Sequence, residues 1–178
     1  MGTKRRNKAL RVLGGMALML IFVGVVLALL VRQAGEWGVP YFSFTSAHGS
    51  PCRNHFTGYT CEPLTLADVE FFGDLDLPED TVVLAGRYRA THDYELAAQL
   101  RVPAASAVAA RQELREAFGP CRSGEVAPLP RARLSKFCVL ASVNAADKNG
   151  EMPSRLFSVG TGLDRAGNRL VGLSIRSR

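Results

Sequence analysis

The strongest hydrophobic pattern in the chain is a continuous apolar run near its beginning. Residues 12–31 form a stretch without a charged side chain, VLGGMALMLIFVGVVLALLV. Because a helix rises about 1.5 Å per residue, this stretch spans about 30 Å, the thickness of a hydrocarbon core. A helix also satisfies its own backbone hydrogen bonds in lipid. The pattern therefore predicts a transmembrane helix over 12–31.

The charges that flank this run are distributed unequally. The run is preceded by five basic residues within 1–11, whereas only Arg32 follows it closely. The positive-inside rule then predicts a cytoplasmic tail over 1–11 and an outer location for the rest of the chain. The alternative is a cleavable signal peptide, whose apolar core usually covers only about 7–15 residues. The longer run favours an uncleaved, single-pass anchor in the cell membrane.

Beyond residue 64 the pattern becomes that of a small folded domain. In Tyr94–Val102, the residues Leu96, Ala98, Leu100 and Val102 alternate with polar ones. Period two over the whole segment indicates a strand with one buried face.

Comparable alternation predicts four further strands, over 81–89, 136–143, 155–163 and 169–177. The residues expected to point inward from the first two of these strands are Val82, Leu84, Gly86, Tyr88, Phe137, Val139, Ala141 and Val143. Gly160-Thr161-Gly162 is interpreted as a bulge within a strand rather than as a phosphate-binding loop.

Two segments have the spacing and end signals of helices. Thr65 and Asp68 resemble a capping box at the start of a short helix that ends at Gly73. Pro103 suits the first turn of a second helix, which ends before Gly119. Its expected inward residues share helical spacing, and they are Ala107, Ala110, Leu114, Ala117 and Phe118.

The order of these elements defines the expected fold class. A short helix is followed by β-β-α-β-β-β, without βαβ repetition. We therefore predict an α+β domain over 64–178, with a mostly antiparallel sheet packed by one helix. Residues 32–63 are rich in Gly, Ser, Pro and aromatic side chains and show no helical or strand period. They are predicted to be a juxtamembrane connector.

The charge balance bears on the class of partner. The formal net charge of the 178-residue chain is +6, but six basic residues and no acid lie within residues 1–32. Residues 33–178 hold 16 basic and 16 acidic side chains. The excess charge belongs to the membrane flank, so the sequence does not predict nucleic-acid binding.

All four cysteines follow the apolar run, on the predicted outer side. An even number of cysteines in an oxidising compartment indicates disulfides. Sequence alone permits three connectivities, and short separations favour Cys52–Cys61 and Cys121–Cys138. A zinc site is the alternative, because His48, Cys52, His55 and Cys61 form an H-x3-C-x2-H-x5-C pattern. An oxidising compartment opposes it, since thiolate ligands must stay reduced.

Signatures of catalysis are absent from the sequence. It contains no nucleophile elbow, no H-E-x-x-H, no P-loop and no dinucleotide-binding glycine motif. His92 and Asp93 resemble a base with its orienting acid, but no nucleophile is associated with them. We expect no cofactor and favour a protein that is not an enzyme.

The outer part of the chain has oppositely charged halves. Residues 62–99 carry nine acids and two bases, whereas residues 101–178 carry thirteen bases and six acids. One hypothesis is that these halves pair across the sheet. The other is a basic surface patch that contacts acidic lipid head groups or an acidic wall polymer. The candidate patch residues are Arg155, Arg165, Arg169, Arg176 and Arg178.

One segment resembles a known group of proteins. Residues 77–82, LPEDTV, followed by residues 93–103, DYELAAQLRVP, resemble a pattern in uncharacterised actinobacterial membrane-anchored proteins. The resemblance covers about 64–118 and implies a single-pass protein with an outer domain of unknown role. The expected function is therefore a binding module held in the bilayer by 12–31, whose partner is an envelope protein or polymer. An envelope hydrolase or a metal-handling protein that uses the 48–61 cluster is the alternative.

Overall fold

The structure is a computed structural model that describes residues 3–122, 125–131, 133–142 and 153–177. Before Gly14 it describes only the helical backbone. The first helix, α1 (Thr3–Ala34), contains the predicted apolar run. Its segment Gly14–Ala34 is long and apolar enough to cross a membrane. The helix begins before the run, because the basic residues of the tail are also good helix formers.

The rest of the described chain forms an antiparallel sheet of eight strands. The strands are β1 (Ser43–Thr45), β2 (Pro51–His55), β3 (Gly58–Cys61), β4 (Val82–Ala90), β5 (Tyr94–Val102), β6 (Ser135–Ala141), β7 (Arg155–Leu163) and β8 (Arg169–Ser177). Their spatial order is β1-β2-β3-β4-β5-β8-β7-β6, and every neighbouring pair is antiparallel. The predicted α+β class with a mostly antiparallel sheet is confirmed.

Two short helices cover one face of this sheet and form what we call the helix layer. They are α2 (Leu66–Gly73), which contacts β4 and β5, and α3 (Ala107–Phe118), which contacts β6. The core between the layers includes Leu96, Leu100 and Leu173, all almost completely buried. Burial of such side chains supplies the main driving force for folding.

Helix α3 ends at Phe118 as predicted, but its start and one of its expected inward residues differ from the prediction. It begins at Ala107 rather than near Pro103, because residues 103–106 form a turn in which Ser106 N donates to Pro103 O (3.1 Å). Four of the predicted inward residues are buried, but Ala117 is exposed.

The prediction that 32–63 lacks strands is wrong. Strands β1, β2 and β3 all lie there and extend the sheet beyond β4. They have only three to five residues each. Their inward positions include a cysteine and the buried polar Asn54, so an apolar alternation is not visible in the sequence.

The predicted inward face of β4 is wrong over its first half. The register with β5 shifts between Val83 and Ala85, which is a β-bulge. A bulge inserts one extra residue and reverses the alternation on that side. Val82 and Leu84 are therefore exposed, whereas Gly86 and Tyr88 point inward as expected.

The second half of β6 is buried on both faces, which overturns its predicted orientation. Leu140 and Cys138 join the core under the helix layer. The predicted inward residues Val139 and Ala141 lie on the other face and are buried there as well. Val143 lies outside the described residues.

A covering loop, residues 125–134 apart from 132, accounts for this second burial. It passes over β7 at Gly160 and Gly162 and over β8 at Gly172, and it lines a cleft together with Phe137 and Val139 of β6. A Cβ on Gly172 would lie 2.8 Å from Pro128 O, so only glycine permits this approach. The bulge expected at Gly160-Thr161-Gly162 lies in the neighbouring strand: β7 pairs with β8 in unbroken register, whereas the register with β6 shifts opposite Gly162 and the extra residue belongs to β6.

Candidate binding face

The predicted arginine patch is divided among separate places. Arg169 is buried, and its Nε donates to Ala107 O (2.6 Å) while another guanidinium nitrogen donates to Thr161 Oγ1 (3.2 Å). Burial lowers the pKa of Arg169, and the charge of Arg111 lowers it further. Its role is to hold α3 against the sheet.

The other members of that patch do not share one surface. Arg155 is partly buried, donates to Gly73 O and lies 3.7 Å from Asp74 Oδ2. Arg165 is exposed in the turn between β7 and β8, and Arg176 is exposed on β8. Arg178 lies outside the described residues. The proposed single patch is therefore wrong.

A different set of arginines meets on the face of the sheet opposite the helix layer. Cross-strand pairing aligns Arg53 with Thr60, Thr60 with Arg89, Arg89 with Glu95, and Glu95 with Arg176. Since side chains at directly opposed positions point to the same face, these five form one row across β2, β3, β4, β5 and β8. We call it the arginine row.

The arginine row lies on a surface that is open to solvent. Arg87, Gln99 and Arg101 are exposed on the same face, which we call the open face. Arg87 Nε lies 3.8 Å from Glu62 Oε2, with more than half of both side chains exposed. Such an exposed pair is weak. Glu125, beside Arg176, is a third glutamate on this side. Five arginines against three glutamates leave the open face with a positive excess.

Two shallow clefts lie on this face, at opposite ends of the arginine row. The first, about 340 Å³, is lined by Arg53, His55 and Thr60 among others. The second, about 300 Å³, lies where the covering loop ends and is lined by Ser158 and Arg176 among others. Both clefts place arginine beside hydroxyl groups, and each also contains one glutamate, Glu62 in the first and Glu125 in the second.

Acidic side chains instead lie on the side of the helix layer, in α2 itself and in the turn that follows it. The turn contacts α3, because Asp76 N donates to Glu113 Oε1 (3.4 Å) and Ser106 Oγ donates to Asp80 Oδ2 (2.7 Å). Among the described residues, one ion pair, Arg155–Asp74, links the two oppositely charged halves. The hypothesis of general pairing across the sheet is therefore not supported.

The cysteines are paired as short separation predicted. Disulfides join Cys52 to Cys61 and Cys121 to Cys138. The first bond occupies both sulfurs of the alternative zinc cluster. His48 packs on Phe71, with ring centroids 4.9 Å apart, before β2 begins, whereas His55 ends β2. The H-x3-C-x2-H-x5-C hypothesis is wrong, because its four side chains do not converge.

The His92–Asp93 pair is not arranged as a catalytic base and its acid. Both residues are exposed between β4 and β5. The Asp93 carboxylate accepts a hydrogen bond from Ser177 Oγ (3.4 Å), and Ser177 Oγ also accepts from Tyr94 N (2.8 Å). Asp93 therefore contributes to joining the start of β5 to the end of β8.

No protein-family model, no curated protein and no solved structure matches this chain. The resemblance to actinobacterial membrane-anchored proteins stays a prediction.

Proposed function

We propose that this protein is a single-pass, membrane-anchored module that binds a polyanionic polymer of the cell envelope on its open face. The arginine row carries the proposal. The positive charge lies on the part of this sheet face that the covering loop leaves open, whereas the acids of α2 and of the turn after it lie on the side of the helix layer. The competing proposal, an envelope hydrolase or metal-handling protein, lacks a converged set of residues at the 48–61 cluster.

The location of the module follows from the first helix and the disulfides. Residues 12–31 form the apolar part of α1, and basic residues precede that part in the chain. Disulfides persist in oxidising compartments, which is the side that the positive-inside rule assigns to residues 33–178. The proposed orientation therefore places the open face outside the cell membrane.

The spacing of the arginine row suits an extended polymer. Neighbouring strands lie about 4.8 Å apart, so Arg53, Arg89 and Arg176 follow one another at intervals of roughly 10 Å. Glu95 lies between Arg89 and Arg176, and its single negative charge offsets only one of these two positive charges. A ligand with repeated negative charges engages several guanidinium groups at once, whereas each exposed contact alone is weak.

Binding of linear polyphosphate to the full chain in phosphatidylcholine nanodiscs tests this proposal. The row variant replaces Arg53, Arg89 and Arg176 with Gln. The control replaces Arg111, Arg115 and Arg165, which are exposed elsewhere, so that both variants lose the same charge. Three lost contacts of about 0.5 kcal/mol each predict binding roughly tenfold weaker in the row variant, and nearly unchanged in the control.

Three results would overturn the proposal. They are no binding by the native chain, unchanged binding by the row variant, and an equal loss in both variants, which would show that net charge alone attracts the polymer. Polyglutamate of matched charge serves as a second probe. Tighter binding of polyglutamate would favour an acidic protein as the partner.

A further inference from the structure

The junction between α1 and the sheet is a clamp rather than a free linker. Asn54 Nδ2 donates to Gly35 O (2.7 Å), just past the end of the helix. Tyr41 N donates to Asn54 O (2.9 Å), and Asn54 N donates to Phe42 O (3.0 Å). Asn54 is 5% exposed, so these bonds are shielded from water.

Close packing adds to these hydrogen bonds. Gly35 is buried, and a Cβ at this position would overlap the carbonyl oxygen of Ser43 in β1. Ala34, the last residue of α1, is also buried. The direction in which α1 leaves the sheet is therefore set by contacts, and the end of the helix fixes the position of β2.

Beside this clamp lies a cluster of exposed aromatic side chains. Phe56, in the turn between β2 and β3, is 77% exposed, and Trp37 and Tyr41 are 65% and 60% exposed. The rings of Tyr41 and Phe56 meet edge to face, with centroids 5.3 Å apart. We call Trp37, Tyr41 and Phe56 the aromatic cluster. The sequence alone does not indicate this cluster, because Phe56 follows Tyr41 by fifteen positions.

Trp37 and Tyr41 closely follow the end of α1, and Phe56 contacts Tyr41. Trp37 N donates to Gln33 O (3.1 Å), so Trp37 continues the last helical turn. Aromatic rings are enriched where the hydrocarbon core meets the head groups, because such rings have both apolar and polar character. An exposed Phe in a tight turn contributes no core burial, whereas in that interface it removes apolar surface from water.

We infer that the turn between β2 and β3 is a second membrane contact, with Phe56 inserted beside Tyr41 and Trp37 into the interface of the outer leaflet. The inference rests on the proposed membrane anchor, since α1 defines the membrane plane. With the clamp, two contacts hold the sheet at a fixed inclination to the membrane. The open face is thereby presented in one direction.

Tryptophan fluorescence tests this inference, because Trp37 is the only tryptophan in the chain. The full chain is reconstituted in phosphatidylcholine vesicles that contain lipid brominated near the head group. The test variant carries Phe56→Trp with Trp37→Phe. The matched control carries Phe71→Trp with Trp37→Phe. Phe71 is 66% exposed and contacts His48, which precedes the opposite end of β2.

We expect brominated lipid to quench Trp at position 56 at least about threefold more than Trp at position 71. Tyr41→Trp with Trp37→Phe provides a second probe of the same cluster and should also be quenched. Intact mass spectrometry confirms the disulfides of each variant.

The outcomes separate this inference from the proposed function. If the native Trp37 is quenched but Trp at positions 56 and 41 is not, the helix is anchored and the second contact is refuted. If none of the three is quenched, the proposed anchor fails as well. Equal quenching at positions 56 and 71 would also overturn the inference.

Discussion

Asp68 is a fully buried carboxylate in the first turn of α2. Its Oδ2 accepts hydrogen bonds from Ser46 Oγ (2.5 Å), Ser50 N (3.1 Å) and Thr65 Oγ1 (3.1 Å). Burial raises the pKa of Asp68, but the hydrogen bonds from Ser46, Ser50 and Thr65 together outweigh burial and hold its pKa below 3.8. The carboxylate thus joins the 46–50 loop to α2.

We expect Asp68→Asn to lower the free energy of unfolding by about 1–3 kcal/mol at pH 7, because a neutral amide oxygen accepts these bonds more weakly than a carboxylate. Its NH2 group would also take the place of Oδ1, a buried atom without a hydrogen-bond partner among the described residues. A lowered pKa means that the native carboxylate stabilises the fold above pH 3.8 and that this contribution is lost as the pH falls through the lower folded value. Urea titrations at pH 7 and pH 3 measure both effects.

The matched control for this prediction is Asp76→Asn, since Asp76 is exposed. The difference in stability between pH 7 and pH 3 should shrink in Asp68→Asn and stay close to the native value in Asp76→Asn. Equal behaviour of the two variants would contradict the role given to Asp68.

At the scale of elements, β5 shows how strictly one strand separates the two faces. Leu100 is 1% exposed in the core, whereas the adjacent Gln99 is exposed on the open face. Leu100→Asp should cost at least about 3 kcal/mol, because it buries an unpaired charge. Gln99→Asp should cost no more than about 0.5 kcal/mol. Thermal melts of both variants in detergent measure the difference, and a native melting temperature for Leu100→Asp would refute the assignment of this face.

The covering loop gives a second prediction at this scale. Gly172→Ala would place a Cβ 2.8 Å from Pro128 O and 3.1 Å from the Leu129 Cβ, so the loop must move away from the sheet. Limited trypsin digestion should then cut after Arg131 and Arg133 several-fold faster, while the sheet stays folded and loses about 1–3 kcal/mol. Ala97→Val, on the open face beyond the loop, should leave the cleavage rate unchanged. A native rate in Gly172→Ala would show that the loop does not depend on this glycine.

Local patterns were sufficient for part of the fold. The alternation of β5 and the helical spacing of α3 have the period of their elements, so both were predictable. The disulfides were predictable because each pair is close in sequence. The bulge in β4 was not, since it depends on how β4 pairs with β5.

Long-range pairing determines what the sequence did not predict. Strand β6 was assigned to the wrong face because the covering loop buries its other face as well. The arginine row depends on the register of five strands between Arg53 and Arg176. A basic residue in an alternating strand indicates which side of that strand is exposed. The residues that lie next to it on other strands, and their charges, do not follow from the sequence of its own strand.

At the scale of the whole molecule, the main prediction is topology. An alkaline phosphatase fusion after Phe44 should be active, because residues 33–178 are proposed to lie outside the cell membrane. Replacing Lys4, Arg5, Arg6 and Lys8 with Gln should reduce the activity of the same fusion, since it removes the charge bias that orients the helix. An inactive fusion, with a cytoplasmic reporter that works at the same site, would contradict the proposed orientation.

The two edge strands of the sheet, β1 and β6, bear on whether neighbouring copies of the chain associate. Strand β1, at one edge, has only three residues. At the other edge, Arg122 lies beside β6 in the segment that follows Cys121, and its backbone N–H donates to Val139 O (2.7 Å). Exposed strand edges recruit further strands from other chains, and short or covered edges resist this. Under the proposed membrane anchor, copies of the chain would be confined to a plane, where they would collide often and in similar orientations. Blunted edges would let many copies share a patch of membrane without joining their sheets into a fibre.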